Sequence, residues 1–125
     1  MKIQEAAENY LETILILQHR RGPIRSIDVV NEMGYSKPTV SVVMKKFREN
    51  GYIEMDSAGY ITLTDAGLEI AQRMYERHNM IAEALMALGV DEKTAYKDSC
   101  KIEHDISDVS FACMKEHYIQ HGGKL

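Results

Sequence analysis

SIDVVNEMGYSKPTVSVVMKKFRENGY, residues 26–52, reads as helix, tight turn, helix. Ser26 is a suitable N-cap, and Ile27, Val30 and Met33 make an apolar stripe at helical spacing. Gly34 stands where a helix needs a left-handed terminus. Ser36 can cap the second helix, with Pro38 tolerated in its first turn. Val40, Val43, Met44 and Phe47 follow at i, i+3, i+4 and i+7, which predicts the buried face. The opposite face carries Pro38, Thr39, Val42, Lys45 and Lys46. Taken singly, Val42 is an ordinary surface valine. In a recognition helix, an apolar residue among lysines can touch a thymine methyl in the major groove.

The flanking segments extend this unit. Downstream, YIEMDSAGYITLT (residues 52–64) places two β-forming runs around SAG, which predicts a hairpin. A hairpin directly after a helix-turn-helix is the wing of a winged helix. Upstream, AENYLETILILQHR (residues 7–20) predicts a helix with Tyr10, Leu11, Ile14, Leu15 and Leu17 on its apolar side. Beyond the hairpin, Thr64 caps a long helix from about Asp65 to Leu88, with Leu68, Ala71, Met74, Ile81 and Leu85 apolar and Gly89 ending it. That length exceeds what a wing must cover, so part of this helix is expected to pack on a partner subunit. DEKTAYKDSCKIEHDI and SDVSFACMKEHYIQH predict two further helices.

Composition narrows the class. The chain has 125 residues, 45% hydrophobic and 27% charged, as ordinary soluble domains have. No apolar run approaches the roughly 18–20 residues of a membrane span. MKIQEAAENY lacks the apolar core of a secretory signal, so a cytoplasmic protein with two free cysteines is expected. The net charge is −4, yet residues 19–50 hold seven basic residues against three acids, a local +4 that leaves −8 elsewhere. A basic island on an acidic chain suits a localised phosphate-binding surface.

CKIEHDIS, residues 100–107, sets Cys100, Glu103 and His104 at i, i+3 and i+4, one face of a helix. Each alone is more often a small core thiol, a surface carboxylate or a half-buried imidazole. Together, thiolate, carboxylate and imidazole suit a divalent transition metal better than magnesium or calcium. Asn9 and Glu12 are likewise neighbours at i, i+3. Cys113, His117 and His121 are spaced i, i+4, i+8; such a set is more often one thiol and two solvated histidines than a second metal face. No zinc-hydrolase HExxH and no nucleophile–base pair stands out, so an enzyme is not expected.

ENYLETI, SKPTVS, RMYERH and CKIEHDIS, in this order and at these separations, are specific together though weak singly. The chain resembles the diphtheria toxin repressor family of metal-dependent transcription regulators, over nearly its whole length. It looks most like the short, manganese-responsive type without a C-terminal SH3-like domain. The resemblance implies a mainly α protein: a winged helix-turn-helix DNA-binding domain over residues 1–64, then a helical dimerisation and metal-binding domain over 65–125. It implies metal ligands at Asn9, Glu12, His78, Cys100, Glu103 and His104. For operator DNA, Ser36, Pro38, Thr39 and Val42 are base-edge candidates, and Arg25, Lys37, Lys45 and Lys46 phosphate candidates. The implied function is a homodimeric repressor sensing divalent iron or manganese and controlling metal homeostasis genes.

The ligand set mixes two types within that family. Asn9 replaces the Asp of manganese-type members and the Met of iron-type members, Glu12 matches the manganese type, and Cys100 matches the iron type. Ala82 and Tyr96 replace a Glu and a His of the iron type's ancillary site, so no ancillary site of that design is expected. The softer thiolate favours Fe(II), with Mn(II) also a candidate and Co(II) or Zn(II) as substitutes in vitro. The alternative is a winged-helix regulator answering to a small organic ligand or to oxidation of Cys100.

Overall fold

The computed structural model describes residues 3–121. Met1 and Lys2 of the opening stretch, and residues 122–125 of the expected second domain, lie outside the described residues. Helices α1 (Ile3–Arg21), α2 (Ser26–Met33) and α3 (Lys37–Glu49) precede strands β1 (Ile53–Met55) and β2 (Ile61–Leu63). Helices α4 (Asp65–Ala87), α5 (Glu92–Asp105) and α6 (Asp108–Gln120) follow. The chain forms two compact units, residues 1–73 and 74–125, so α4 contributes to both.

In the first unit α1 packs on α2 and β2, and α3 on α2 and β1. Its core is Leu11, Ile14, Leu17, Ile24, Val29, Val40, Met44 and Ile53, each at most 2% exposed. Burying each such side chain contributes about 1.5–3 kcal/mol. The α1 and α3 stripes lie where the periodicity placed them, although Val43 is only half-buried.

Helix α2 differs from its sequence reading. Val29 is fully buried, whereas Ile27 is 42% exposed. The N-cap is Arg25, not Ser26. Arg25 is held extended by an antiparallel bridge to Tyr60, and its N–H donates to Asp28 Oδ2 at 2.9 Å. The cap thus comes from a carboxylate reaching back and from a strand distant in sequence, neither of which a local N-cap preference detects. Gly34 does close α2, with φ +73° and its N–H on the Val30 carbonyl.

The wing is an antiparallel pair with Ile53 opposite Leu63 and Met55 opposite Ile61. Asp56 Oδ1 accepts from the N–H groups of Ala58 and Tyr60, both at 2.9 Å, which closes the turn. An aromatic chain crosses the unit: Tyr35 to Tyr10 at 5.8 Å, Tyr10 to Phe47 at 6.1 Å, and Phe47 to Tyr52 at 6.1 Å. The last two contacts are edge-to-face, the arrangement ring quadrupoles favour.

The second unit is built differently. Met74, Met80, Ile81, Ala82, Ala84 and Ala95 are its buried apolar residues. Asp91 caps α5 by accepting from Thr94 N–H at 3.0 Å, and that backbone hydrogen bond holds its carboxyl below the usual range. Ser107 caps α6 in the same way. Lys115 pairs with Glu76, and the Tyr118 hydroxyl donates to Glu83, so α6 is tied along α4. Helix α6 buries none of its residues.

The start of α4 passes close to the wing. A Cβ on Gly67 would lie 2.1 Å from the Tyr52 carbonyl oxygen. That carbonyl also accepts from Thr64 N–H at 3.1 Å, so it is fixed in place. Gly→Ala inside an exposed helix normally stabilises by roughly 1 kcal/mol. Here the sign reverses: Gly67→Ala is expected to destabilise by about 1–3 kcal/mol, the usual cost of overpacking, measured by urea unfolding.

Candidate metal centre and basic surface

His78 projects from α4, and Cys100, Glu103 and His104 from α5. Cys100 Sγ lies 3.8 Å from His78 Nδ1, and the same nitrogen lies 4.0 Å from Glu103 Oε2. One donor atom from each of His78, Cys100 and Glu103 falls within 4.8 Å of the others. Ligands about 2.0–2.3 Å from one ion stand roughly 3–4 Å apart, so these three fit a transition metal. His104 adjoins them, its Nε2 3.5 Å from Glu103 Oε1. Surface acids gather without any ion, but Glu103 is 1% exposed, and a buried carboxylate draws on the charges and hydrogen-bond donors around it.

Local sequence explains the convergence. The capped helix α5 brings positions 100, 103 and 104 to one side, while Ala95 and Ser99, both fully buried, keep the packed face thin. His78 is also oriented from behind: Nε2 lies 3.2 Å from the Tyr96 carbonyl oxygen, and the Tyr96 ring meets the imidazole edge at 5.5 Å. An Nε2–H donated to that carbonyl leaves Nδ1, the nitrogen facing Glu103, as the electron-pair donor. Such carbonyl partners commonly fix the tautomer of a ligating histidine.

The other expected ligands belong to the first unit. Glu12 is buried at 4% exposure. Asn9 lines a cavity of about 260 Å³ with Tyr10, Met33, Tyr35 and Thr39, and its backbone carbonyl accepts from the Thr13 hydroxyl. Among the described residues, Cys113, His117 and His121 form no ligand group of this kind. Cys113 and His117 instead border an apolar cavity of about 370 Å³ with Met80, Ala84 and Met114, and the His121 ring stacks on His117 at 4.0 Å. Ala82 is fully buried.

Pro38, Thr39, Val42, Lys45 and Lys46 share one exposed face of α3, with Val42 54% exposed, and Lys37, also exposed, opens the helix. Ser36 has a structural duty as N-cap of α3, its hydroxyl 2.8 Å from that of Thr39. Arg20 and Arg21 are spent on Glu32 and Asp28. No ion pair engages Lys37, Lys45 or Lys46 among the described residues, so the island's positive charge concentrates on α3. Arg25 lies elsewhere, its guanidinium 4.4 Å over the Tyr60 ring at the wing. Tyr60 went unnoticed in the sequence because only the fold brings it under Arg25. Arg77, buried beside His78, was missed for the same reason.

Both parts of the chain match known protein families. Residues 2–61 match the family described as iron dependent repressor, N-terminal DNA binding domain. Residues 64–121 match iron dependent repressor, metal binding and dimerisation domain. The transcriptional regulator MntR of Escherichia coli O6:H1 is 31% identical over 121 residues, 97% of this chain and 78% of that protein. The uncharacterized HTH-type transcriptional regulator MJ0568 of Methanocaldococcus jannaschii is 33% identical over 108 residues, 85% of this chain and 86% of that one. Among solved structures, the manganese regulator SloR superposes with a TM-score of 0.75 at 27% identity, over 89% of this chain and 52% of its own. The chain therefore spans about half the length of that solved structure. No helix among the described residues is long and apolar enough to cross a membrane. With both halves matched and the two regulators aligned along most of their length, the chain belongs to the iron-dependent repressor family.

Proposed function

We propose that this protein is a cytoplasmic, homodimeric repressor whose affinity for operator DNA rises when a divalent transition metal binds, and that it controls metal homeostasis genes. The observation that carries this reading is the His78–Cys100–Glu103 cluster built around a buried carboxylate. In this reading residues 1–64 bind DNA, and residues 65–125 bind metal and dimerise. His78, Cys100, Glu103 and His104 hold the ion, with Asn9 and Glu12 completing the set. When bound, the ion supplies a positive charge that ties its ligands together and biases the protein toward its DNA-competent geometry. A ligand shifts such an equilibrium only by its differential affinity for the two states. Two recognition helices read half-sites about 34 Å apart or a multiple of that. Leu88, Val109 and Ile119, exposed at 72%, 75% and 63%, offer apolar surface to the second copy.

The direct test is operator binding under anaerobic conditions at controlled free metal. His78→Ala and Glu103→Ala are each expected to leave a folded dimer that metal no longer stimulates, because the core stripes hold the fold and these residues hold the switch. Full metal stimulation in either variant removes that residue from the centre.

On DNA, Lys45 and Lys46 contact phosphates and Val42 a base edge. Each phosphate contact adds close to one unit to the log–log salt slope. Replacing both lysines by Ala should flatten the slope and weaken all sequences alike, whereas Val42→Ala should alter discrimination at one base pair per half-site. An unchanged slope in the lysine variant would mean that another face meets the DNA.

For the metal, Cys100 Sγ beside His78 brings a soft thiolate to the centre, and Mn(II) is the weakest binder of nitrogen and sulfur sites in the first-row series. Fe(II) is expected to activate at the lowest free concentration, with Co(II) and Mn(II) weaker. Zn(II), content with four tetrahedral ligands, is expected to bind tightly without full activation. Cys100→Glu combined with Asn9→Asp should move selectivity toward Mn(II). Half-activating concentrations for each ion, in both proteins, decide the matter; a wild-type protein answering to less Mn(II) than Fe(II) refutes the soft-ligand argument.

A further inference from the structure

Arg77 stands next to His78 on α4, and its side chain is only 7% exposed. Successive helix residues point about 100° apart, so the two neighbours reach different partners. Both partners lie on one short stretch. His78 faces Glu103. Arg77 Nη2 donates to the Ile106 carbonyl at 2.8 Å, and Nη1 to Asp108 Oδ1 at 3.2 Å. Ile106 is the C-cap of α5, and Asp108 opens α6. The guanidinium also lies 5.0 Å from the centre of the Phe111 ring. Arg77 thus grips the corner where α5 ends, directly after Glu103 and His104.

This grip is a poor way to gain stability. The cation is buried, whereas its counter-ion Asp108 is 89% exposed. Arg77 Nε is buried with no hydrogen-bond partner among the described residues. An apolar side chain of similar volume often serves such a site as well or better. What the guanidinium supplies instead is direction. Two planar, charge-assisted donors fix a carbonyl and a carboxylate in place, which packing alone does not do.

We propose that Arg77 is a positioning residue for the metal centre: it sets the separation between His78 on α4 and the Glu103/His104 end of α5. The proposal rests on the metal-binding reading given above and assigns a role to a residue that contributes no ligand atom. Partners behind the ligands of a metal site typically govern its affinity by about 10–100-fold.

The test is anaerobic titration of the full chain with Co(II) alone, followed by the thiolate-to-cobalt charge-transfer and ligand-field absorption, with circular dichroism and sedimentation as checks of fold. Arg77→Met is expected to remain folded, to bind Co(II) about 10–100-fold more weakly and to show altered ligand-field bands. Asp108→Asn, touching only the solvated prong, should stay within about threefold of wild type. A folded Arg77→Met with wild-type affinity and spectrum overturns the proposal. If that variant does not fold, Arg77→Lys decides: a single ammonium cannot span both acceptors, so weaker binding with a changed spectrum supports the role and a wild-type titration refutes it. A wild-type protein that gives no cobalt spectrum removes the metal reading itself, and the proposal with it.

Discussion

Glu103 sits at 1% exposure, and taking a carboxylate out of water costs several kcal/mol unless charge or hydrogen bonds replace the lost hydration. The second unit is arranged around that requirement. His104 approaches from the same helix at 3.5 Å and His78 from α4 at 4.0 Å. The thin face of Ala95 and Ser99 and the N-cap at Asp91 make the geometry reachable. Two imidazoles, a group that also ligates metals, thus stand beside a buried carboxylate. Cys100 lies on the exposed side of this group.

The first unit answers a different constraint. Its basic residues are not equivalent, because Arg20 and Arg21 satisfy acids of α2 while Lys37, Lys45 and Lys46 satisfy none among the described residues. Internal pairing therefore sharpens the charge pattern of the island instead of diluting it. Lys45 and Lys46 stand on the same exposed face of α3 as Thr39 and Val42. Arg25, on the Tyr60 ring, carries charge to the wing.

Much of this was legible because the deciding signals are local. Ser36 three residues before Thr39, Gly34 after the α2 stripe, and the 3.6-residue spacing of Val40, Met44 and Phe47 are short-range chemistry, and the structure reproduces each. The i, i+3, i+4 set at 100, 103 and 104 likewise needs only a helix. That His78 joins it came from the family resemblance, since 22 residues separate it from Cys100. The misreadings share one cause. Arg25 caps α2 because Tyr60 holds it extended, Val29 replaces Ile27 in the core because α2 packs on α1 and α3, and Gly67 is closed to alanine because Tyr52 lies across it. Each depends on a contact made by the finished fold, and periodicity carries no information about such contacts.

The two interiors also differ in stiffness. Behind the recognition helix, four rings from Tyr35 to Tyr52 meet in fixed orientations, and planar groups with few torsions resist rearrangement. The buried apolar residues of the second unit are mostly methionine and alanine, namely Met74, Met80, Ala82, Ala84 and Ala95, with Ile81 the one branched side chain among those described. Thioether chains repack among several rotamers at little cost, and alanine leaves no interlocking ridge. Helix α3 is thus mounted on a hard backing, and the helices that carry His78 and Glu103 on a yielding one. A side-chain shift of a fraction of an ångström beneath α4 and α5 therefore meets less resistance than the same shift beneath α3.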